Sequence, residues 1–174
     1  MQLTWTVMSA PAPIGALTVG ATDDGLALVV FGDHPEAAAQ AAERLGLAAV
    51  AGPVAAVAQL DEYLAGQRRV FDLPLDWSLT HGSQRRVLQT LYATVGFGDT
   101  VTYGELAARG KLGSAYTAAR GVGAIMGSNP LPVVVACHRV MAADGLGGFG
   151  GGRATKEWLL ALEGVLTGAL DFGD

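Results

Sequence analysis

The sequence predicts a mixed α+β (α/β) protein in which a strand-rich N-terminal half precedes a helical C-terminal half. Three short apolar runs separated by turn residues occupy positions 3–31, and apolar residues recur at helical spacing from residue 83 onward. Hydrophobic residues make up 51% of the 174 positions and charged residues only 16%. This composition is sufficient for a packed core and is unlike that of a disordered chain.

The first half divides at its glycines, prolines and aspartates. It contains three predicted strands, at residues 3–8, 16–21 and 26–31. Asp24-Gly25 indicates a tight hairpin between the second and the third. The pattern then becomes alanine-rich and predicts two helices, at 36–45 before Gly46 and at 53–65 before Gly66. Residues 70–75 are predicted to be extended, and a linker follows as far as Gly82.

The second half opens with a predicted helix whose N-cap is Ser83. Four residues at helical spacing should form its core-facing stripe: Val87, Leu88, Leu91 and Tyr92. After a break at 96–99, Thr102 and Glu105 have the spacing of a capping box, which predicts a helix that begins at Tyr103.

A short turn at 109–113 separates that helix from another, predicted to be capped by Ser114 and to run to about Met126. The ~100° step per residue puts four residues on an apolar inner face: Ala118, Val122, Ile125 and Met126. The same step puts Tyr116, Arg120 and Gly123 on the opposite face. This layout is typical of a helix-turn-helix, although an ordinary helical hairpin with a solvated Arg120 fits the pattern equally well.

Composition and charge set the expected organisation. We predict an N-terminal domain at 1–79, a second domain at 80–165 and a C-terminal tail at 166–174. Residues 1–79 carry three basic and nine acidic side chains, whereas residues 80–164 carry eight basic and five acidic ones. Any polyanion should therefore bind to the second half, with modest non-specific affinity.

Cysteine content and hydropathy predict where the protein is found. A single cysteine excludes an internal disulfide and any cysteine-rich zinc site, and it suits a reducing, cytoplasmic setting. The sequence shows neither an apolar run long enough to span a bilayer nor a signal-peptide layout at its start. We therefore expect a cytoplasmic protein that does not contact membranes.

The segment with the clearest chemical signal is 132–140, which contains that cysteine. A β-branched run predicts a buried strand, and Cys137 should lie where the strand ends. A lone cysteine after an apolar run is more often a small core residue. Here His138 can act as a base and Arg139 adds positive charge, and both favour the thiolate that attacks electrophilic carbon.

With these parts in order, residues 83–163 resemble the O6-alkylguanine-DNA alkyltransferase family, also called methylated-DNA–protein-cysteine methyltransferases. Five blocks carry the resemblance, at residues 101–107, 119–123, 127–130, 137–140 and 156–163. It implies a ribonuclease-H-like N-terminal domain followed by a winged helix-turn-helix domain that binds DNA and carries the catalytic residues. The implied partner is double-stranded DNA containing O6-alkylguanine, bound by a monomer without a cofactor or a metal.

The resemblance also implies roles for individual residues. Cys137 would accept the alkyl group from O6 of guanine, with O4 of thymine as a further candidate donor, in a single turnover. His138 would activate Cys137 through a water, Glu163 would orient His138, and Asn129 would fix the backbone around the site. Arg120 would fill the space of the flipped guanine, and Tyr103 would help to turn its phosphate. The remaining implied substrate or DNA contacts are Arg139, Phe149 and Gly151.

The sequence departs from the family pattern at two places. Ala136 stands where proline usually precedes the cysteine, which removes a constraint on the backbone and suggests a looser pocket. The glycine-rich segment 147–152 carries Phe149 instead of the common tyrosine and is one residue shorter than usual.

Three other functions are compatible with parts of the pattern. A protein that binds alkylguanine without accepting the group is disfavoured, because such relatives have tryptophan at the position of Cys137. A transcription regulator would use the helix-turn-helix alone, which nothing in this acidic chain requires. A cysteine hydrolase would need an oxyanion hole and would leave the helix-turn-helix unexplained.

Overall fold

The computed structural model describes residues 1–112 and 116–166, and the side chain of Tyr116 lies outside that description. The chain forms two compact units, Met1–His81 and Gly82–Asp174. The mixed α+β class is confirmed, with a strand-rich first unit and a mainly helical second unit. The predicted cap Ser114 and most of the predicted tail lie outside the described residues. No helix in the described ranges is long and apolar enough to cross a membrane.

The first unit is built on a four-stranded sheet. Its strands are β1 (Gln2–Ser9), β2 (Ala16–Thr22), β3 (Gly25–Phe31) and β4 (Ala48–Ala51), arranged in the order β3-β2-β1-β4. The β1–β2 and β2–β3 pairs are antiparallel, with Val19 opposite Val29, and the three predicted strands are confirmed. Strand β4 pairs in parallel with β1 and was not predicted, because its Ala-Ala-Val-Ala sequence has little strand propensity of its own.

Helix α1 (Pro35–Leu45) covers this sheet and confirms the first predicted helix. Its buried alanines (Ala38, Ala41 and Ala42) belong to the same core cluster as Leu3 and Ala27 of the strands. Gly46 ends the helix in the left-handed conformation, with φ 69°, and its N–H donates to the Glu43 carbonyl at 3.1 Å. Small side chains on the inner face let the helix pack close to the sheet.

Two predicted segments of the first unit differ from the structure. Helix α2 (Ala56–Leu64) begins three residues after Pro53, because a turn closed by the Val57 N–H and the Val54 carbonyl precedes it. Residues 70–75 make a single bridge, Leu75 to Leu26, instead of a strand. Pro74, which has no N–H, can only accept there. Its carbonyl would lie 2.3 Å from a Cβ at Gly25, so this close approach requires glycine.

The second unit contains four α-helices in its described ranges. These are α3 (Gly82–Thr94), α4 (Tyr103–Arg109), α5 (Tyr116–Gly127) and α6 (Arg153–Leu162), with a small parallel pair of strands, β5 (Val101–Thr102) and β6 (Val140–Met141). The capping box is confirmed: Thr102 Oγ1 accepts from the Glu105 N–H at 3.1 Å, and the Glu105 carboxylate accepts from the Thr102 N–H at 2.9 Å. Helix α4 therefore begins at Tyr103, as predicted.

Three details of this unit correct the sequence prediction. Helix α3 begins at Gly82, so Ser83 lies inside it and is not its N-cap. Tyr92 is 38% exposed, whereas Val87, Leu88 and Leu91 are fully buried. On α5, Val122 is buried as expected, but Met126 lines a cavity together with Arg120. The apolar face of α5 is therefore narrower than the spacing predicted.

Candidate active site

The apolar run before Cys137 is a buried turn, which corrects the predicted strand. The Val135 N–H donates to the Leu131 carbonyl at 2.8 Å, and the Cys137 N–H donates to the Val135 carbonyl at 2.8 Å. Val133 has φ 74°, a left-handed conformation that no regular strand contains. Because these backbone groups are satisfied locally, the segment does not need a partner strand. β-Branched composition indicated burial correctly and geometry wrongly.

Asn129 holds this turn in place. Its Nδ2 donates to the Val135 carbonyl at 2.9 Å, and its Oδ1 accepts from the Leu131 N–H at 2.9 Å. A further hydrogen bond from the Asn129 side chain acts on the Cys137 thiol and favours its ionised form. The Asn129 side chain thus binds both Leu131 and Val135, at the two ends of the turn, and also acts on Cys137.

Cys137 begins a single turn of 3-10 helix (Cys137–Arg139) and is 5% exposed. Burial raises the pKa of its thiol from an ordinary value near 9 to about 11, and this outweighs the opposing effects of the Asn129 hydrogen bond and the Lys156 charge. The resting cysteine is therefore a thiol at neutral pH, which differs from the thiolate that its neighbours in sequence suggested. A proton acceptor is needed before it can attack carbon.

His138 and Glu163 form a buried pair beside this cysteine. His138 Nε2 lies 2.7 Å from Glu163 Oε2, and neither side chain is exposed. Burial lowers the pKa of His138 and outweighs the Glu163 hydrogen bond, so the imidazole is neutral at pH 7 and can accept a proton. Burial alone would raise the pKa of Glu163, but the hydrogen bonds from His138 and Arg139, together with the Arg139 charge, lower it well below the usual range.

Arg139 lies behind this pair and does not face outward. Its Nε and Nη2 each donate to one oxygen of Glu163 at 2.9 Å, and its Nη1 donates to the Val95 carbonyl at 2.8 Å. The side chain is mostly buried, with the residue 9% exposed. The guanidinium is therefore committed to a two-pronged bond with Glu163, and the expected contact of Arg139 with DNA stays a prediction.

Lys156 completes the buried charges and was not predicted as a site residue. Its Nζ donates to the Val140 carbonyl at 2.7 Å and to the Gly148 carbonyl at 3.2 Å. Burial lowers its pKa from 10.5 to about 8, and the charge of Cys137 opposes that shift. The available signal was its place in helix α6, where it falls in register with the buried Leu159 and Leu160. A lysine in an apolar stripe needs polar partners that offset the free-energy cost of burying its amine.

The glycine-rich segment 147–152 is attached to Tyr103. The Tyr103 hydroxyl accepts from the Gly148 N–H at 3.2 Å and lies 3.4 Å from the Gly148 carbonyl. Gly147 has φ 75°, and a Cβ there would lie 2.7 Å from the same hydroxyl. Only glycine allows this contact between the segment and the start of α4.

A cavity of about 930 Å³ opens between these elements. Three predicted site residues line it: Tyr103, Arg120 and Phe149. Gly151 and Cys137 are not among its lining residues in the described part of the chain. Arg120 is exposed on α5, at the cavity and on the same face as Gly123. The predicted residues therefore fall into two groups, a buried one around the thiol and one around the cavity.

A cysteine beside a neutral histidine and an ionised glutamate, on a domain with a helix-turn-helix layout, defines a protein that carries a cysteine nucleophile on a nucleic-acid-binding type of fold. Residues 82–165 match the family model described as "6-O-methylguanine DNA methyltransferase, DNA binding domain". Residues 4–77 match the model of the ribonuclease-like domain of the same family. The chain belongs to the 6-O-methylguanine DNA methyltransferase family and carries its DNA-binding domain.

Relatives and solved structures agree with this assignment. The chain is 42% identical to the methylated-DNA–protein-cysteine methyltransferase of Mycolicibacterium paratuberculosis, over 87% of this chain and 88% of the relative. It is 34% identical to the human protein of that name, over 93% and 82%. The mouse protein is 52% identical over 86 residues, which span 48% of this chain and 39% of the mouse sequence. A crystal structure of Mycobacterium tuberculosis OGT in complex with DNA has a TM-score of 0.73 at 34% identity, covering 94% of this chain and 92% of that one.

Proposed function

We propose that this protein repairs DNA by direct and irreversible transfer of an alkyl group from O6 of guanine to Cys137. The observation that carries the proposal is the buried pair of His138 and Glu163 next to the single cysteine, in a unit that matches the DNA-binding domain of the family. O4 of thymine is a further candidate donor. The protein would act as a cytoplasmic monomer on double-stranded DNA.

The thiol proton is the first obstacle to this reaction. With the thiol pKa near 11, little thiolate exists at neutral pH, so His138 would accept the proton through a bridging water. Glu163, ionised and 2.7 Å from the ring, would stabilise the imidazolium that forms. Arg139 and the Gly98 N–H would hold the Glu163 carboxylate, because both donate to Oε1. Arg139 thus supports the orientation of the histidine.

The transfer itself is a displacement at the alkyl carbon. A bond forms between Cys137 Sγ and that carbon while the bond from the carbon to O6 breaks, and the electron pair stays on guanine. Protonation or hydrogen bonding at guanine helps it to leave. The product thioether has no easy reverse path, so each molecule would act once, and the reaction requires no cofactor.

The damaged base must leave the duplex to reach a thiol that is 5% exposed. Extrusion costs a few kcal/mol, which contacts to the opened duplex would offset. Arg120, exposed at the cavity, would enter the duplex from the minor groove, and Tyr103 at the N-terminus of α4 would turn the phosphate. The cavity, lined by Phe149, would receive the base, and Gly151 of the same glycine-rich segment would contact it.

Intact mass after incubation with a duplex that contains one O6-methylguanine tests the reaction. We expect the mass to rise by one methyl group per protein molecule and to stay unchanged for Cys137→Ala. Tight binding without a mass gain would reject the transfer and favour a protein that only recognises the lesion. Two observations make that outcome worth testing: Ala136 stands at the usual proline position, and the thiol is not on the cavity wall.

Arg120 can be tested by comparing two substrates. Arg120→Ala should slow repair of the duplex at least tenfold and leave attack on free O6-benzylguanine within about twofold, because only the duplex needs a residue to replace the flipped base. Arg109→Ala removes another arginine from the same unit and serves as the charge control. Equal slowing on both substrates would reject the role of Arg120.

A further inference from the structure

Lys156 is the ionisable residue of the site that the proposed reaction does not yet use. Its side chain is fully buried, and its Nζ donates to two backbone carbonyls from different segments. Val140 lies three residues after Cys137 at the start of β6, and Gly148 belongs to the glycine-rich segment and is also hydrogen-bonded to Tyr103. One amine therefore connects the nucleophile's segment with the wall of the cavity.

Two carbonyl acceptors favour the ammonium form of this amine. Carbonyl oxygens only accept hydrogen bonds, and an ammonium supplies three donors. The charged groups around it are Cys137 and His138, with Glu163 and Arg139 paired beyond the histidine. The ammonium lowers the pKa of the thiol, and the thiolate raises the pKa of the amine. Helix α6 places the one positive charge that acts on Cys137 directly and is not already paired with a carboxylate among the described residues.

We propose that Lys156 is a positioning residue: its ammonium pairs with the Cys137 thiolate as it forms and ties β6 to the glycine-rich segment. The proposal rests on the proposed function only in that the thiolate is the reactive form. Arg139, by contrast, is paired with the Glu163 carboxylate, so its charge stabilises the thiolate less. Lys156 therefore supplies the positive charge that favours the thiolate, which the sequence had suggested for Arg139.

The reaction of the thiol with iodoacetamide tests this without any DNA. Cys137 is the only cysteine, so all carboxamidomethylation reports on it. Below about pH 8 the rate should rise about tenfold per pH unit, as the thiolate fraction does. Near pH 8, where Lys156 loses its proton, the help from the ammonium is lost and the rise should flatten into a shoulder. Lys156→Met should react about tenfold more slowly at pH 7 and show no shoulder.

The chain offers a matched control, because it has two lysines in total. Lys111, exposed in the turn after α4, can be replaced in Lys111→Met, which should keep both the rate and the shoulder. Carbon NMR of the lysine Cε atoms gives two signals, which Lys111→Arg assigns. The Lys156 signal should titrate at the pH of the shoulder.

These outcomes decide the proposal even if Lys156→Met does not fold. A wild-type profile without a shoulder, or a Lys156 signal that shows neutral amine at pH 7, would overturn it. A folded Lys156→Met whose rate is unchanged, or is reduced by the same factor at every pH with the shoulder kept, would also overturn it. Failure of methyl transfer to Cys137 would leave these results untouched, so the two proposals fail separately.

Discussion

The two units of this protein differ in how many ionisable side chains they bury. Among the described residues, the buried polar side chains of the first unit are Thr18, Asp76 and Thr80, whereas the second unit buries Thr155 and four ionisable ones: His138, Arg139, Lys156 and Glu163. Burying a charge costs free energy unless it is paired and hydrogen-bonded. Both units bury an apolar core, and the second also bears this cost around Cys137, as the proposed proton transfer would require.

Glu163→Gln should give the largest effect, because it removes the charge on which the buried set depends. The change leaves the Arg139 guanidinium buried without its carboxylate, and we expect a loss of about 3 kcal/mol in the free energy of unfolding. Urea denaturation at pH 7 measures it. Glu157→Gln is the matched control: it breaks the Arg153–Glu157 pair on α6, whose arginine is 79% exposed, and should cost less than about 1 kcal/mol.

Lowering the pH should reduce the difference in the free energy of unfolding between Glu163→Gln and the wild type. The pKa of Glu163 is lowered by folding, so its carboxylate contributes stability that is full above its unfolded pKa of about 4.3 and is lost as the pH falls from there towards the folded value. The unfolding free energies of the two proteins should therefore converge below about pH 4. A constant difference down to pH 3 would mean that the carboxylate is not held by its partners as the structure indicates.

The sequence predicted the first unit better than the second, for a physical reason. Strands β1, β2 and β3 and helix α1 follow from the period of apolar residues, because each buries one face against a common core. Strand β4 was missed because its position comes from backbone pairing with Gln2–Trp5 and not from its side chains. The run before Cys137 was wrongly predicted as a strand because composition reports burial and not the internal hydrogen bonds that Asn129 arranges.

The functional site also combines features that the sequence predicted with features that depend on contacts between distant segments. Local spacing predicted the capping box at Thr102, and the family resemblance suggested the pairing of His138 with Glu163, which the structure contains. Spacing did not predict that Arg139 turns inward or that Lys156 is buried, because both depend on contacts between α6 and segments distant in sequence. The roles proposed for Tyr103, Arg120, Phe149 and Gly151 stay predictions until they are tested with substrate.

A smaller effect is expected from Gly147→Ala, at the contact between the glycine-rich segment and Tyr103. A Cβ at φ 75° costs about 1–2 kcal/mol, and here it would also meet the Tyr103 hydroxyl at 2.7 Å. We expect lower stability in urea and slower reaction with O6-benzylguanine, because the cavity wall must move. Gly150→Ala enters open space outside the left-handed region and should change neither. Equal effects of the two changes would show that the Tyr103 contact does not shape the cavity.

The smallest effect should come from Ala136→Pro in the buried turn. Ala136 has φ −77°, within the range that proline adopts, and its carbonyl accepts a hydrogen bond from the Arg139 N–H at 3.0 Å. Proline would keep that bond and restrict the unfolded chain, so we expect a gain of about 0.4–1 kcal/mol in the free energy of unfolding. A loss of stability would show that the turn cannot accommodate the ring. In that case the packing around Cys137 requires the alanine, and the second unit constrains the backbone before its cysteine as well as the charges around it.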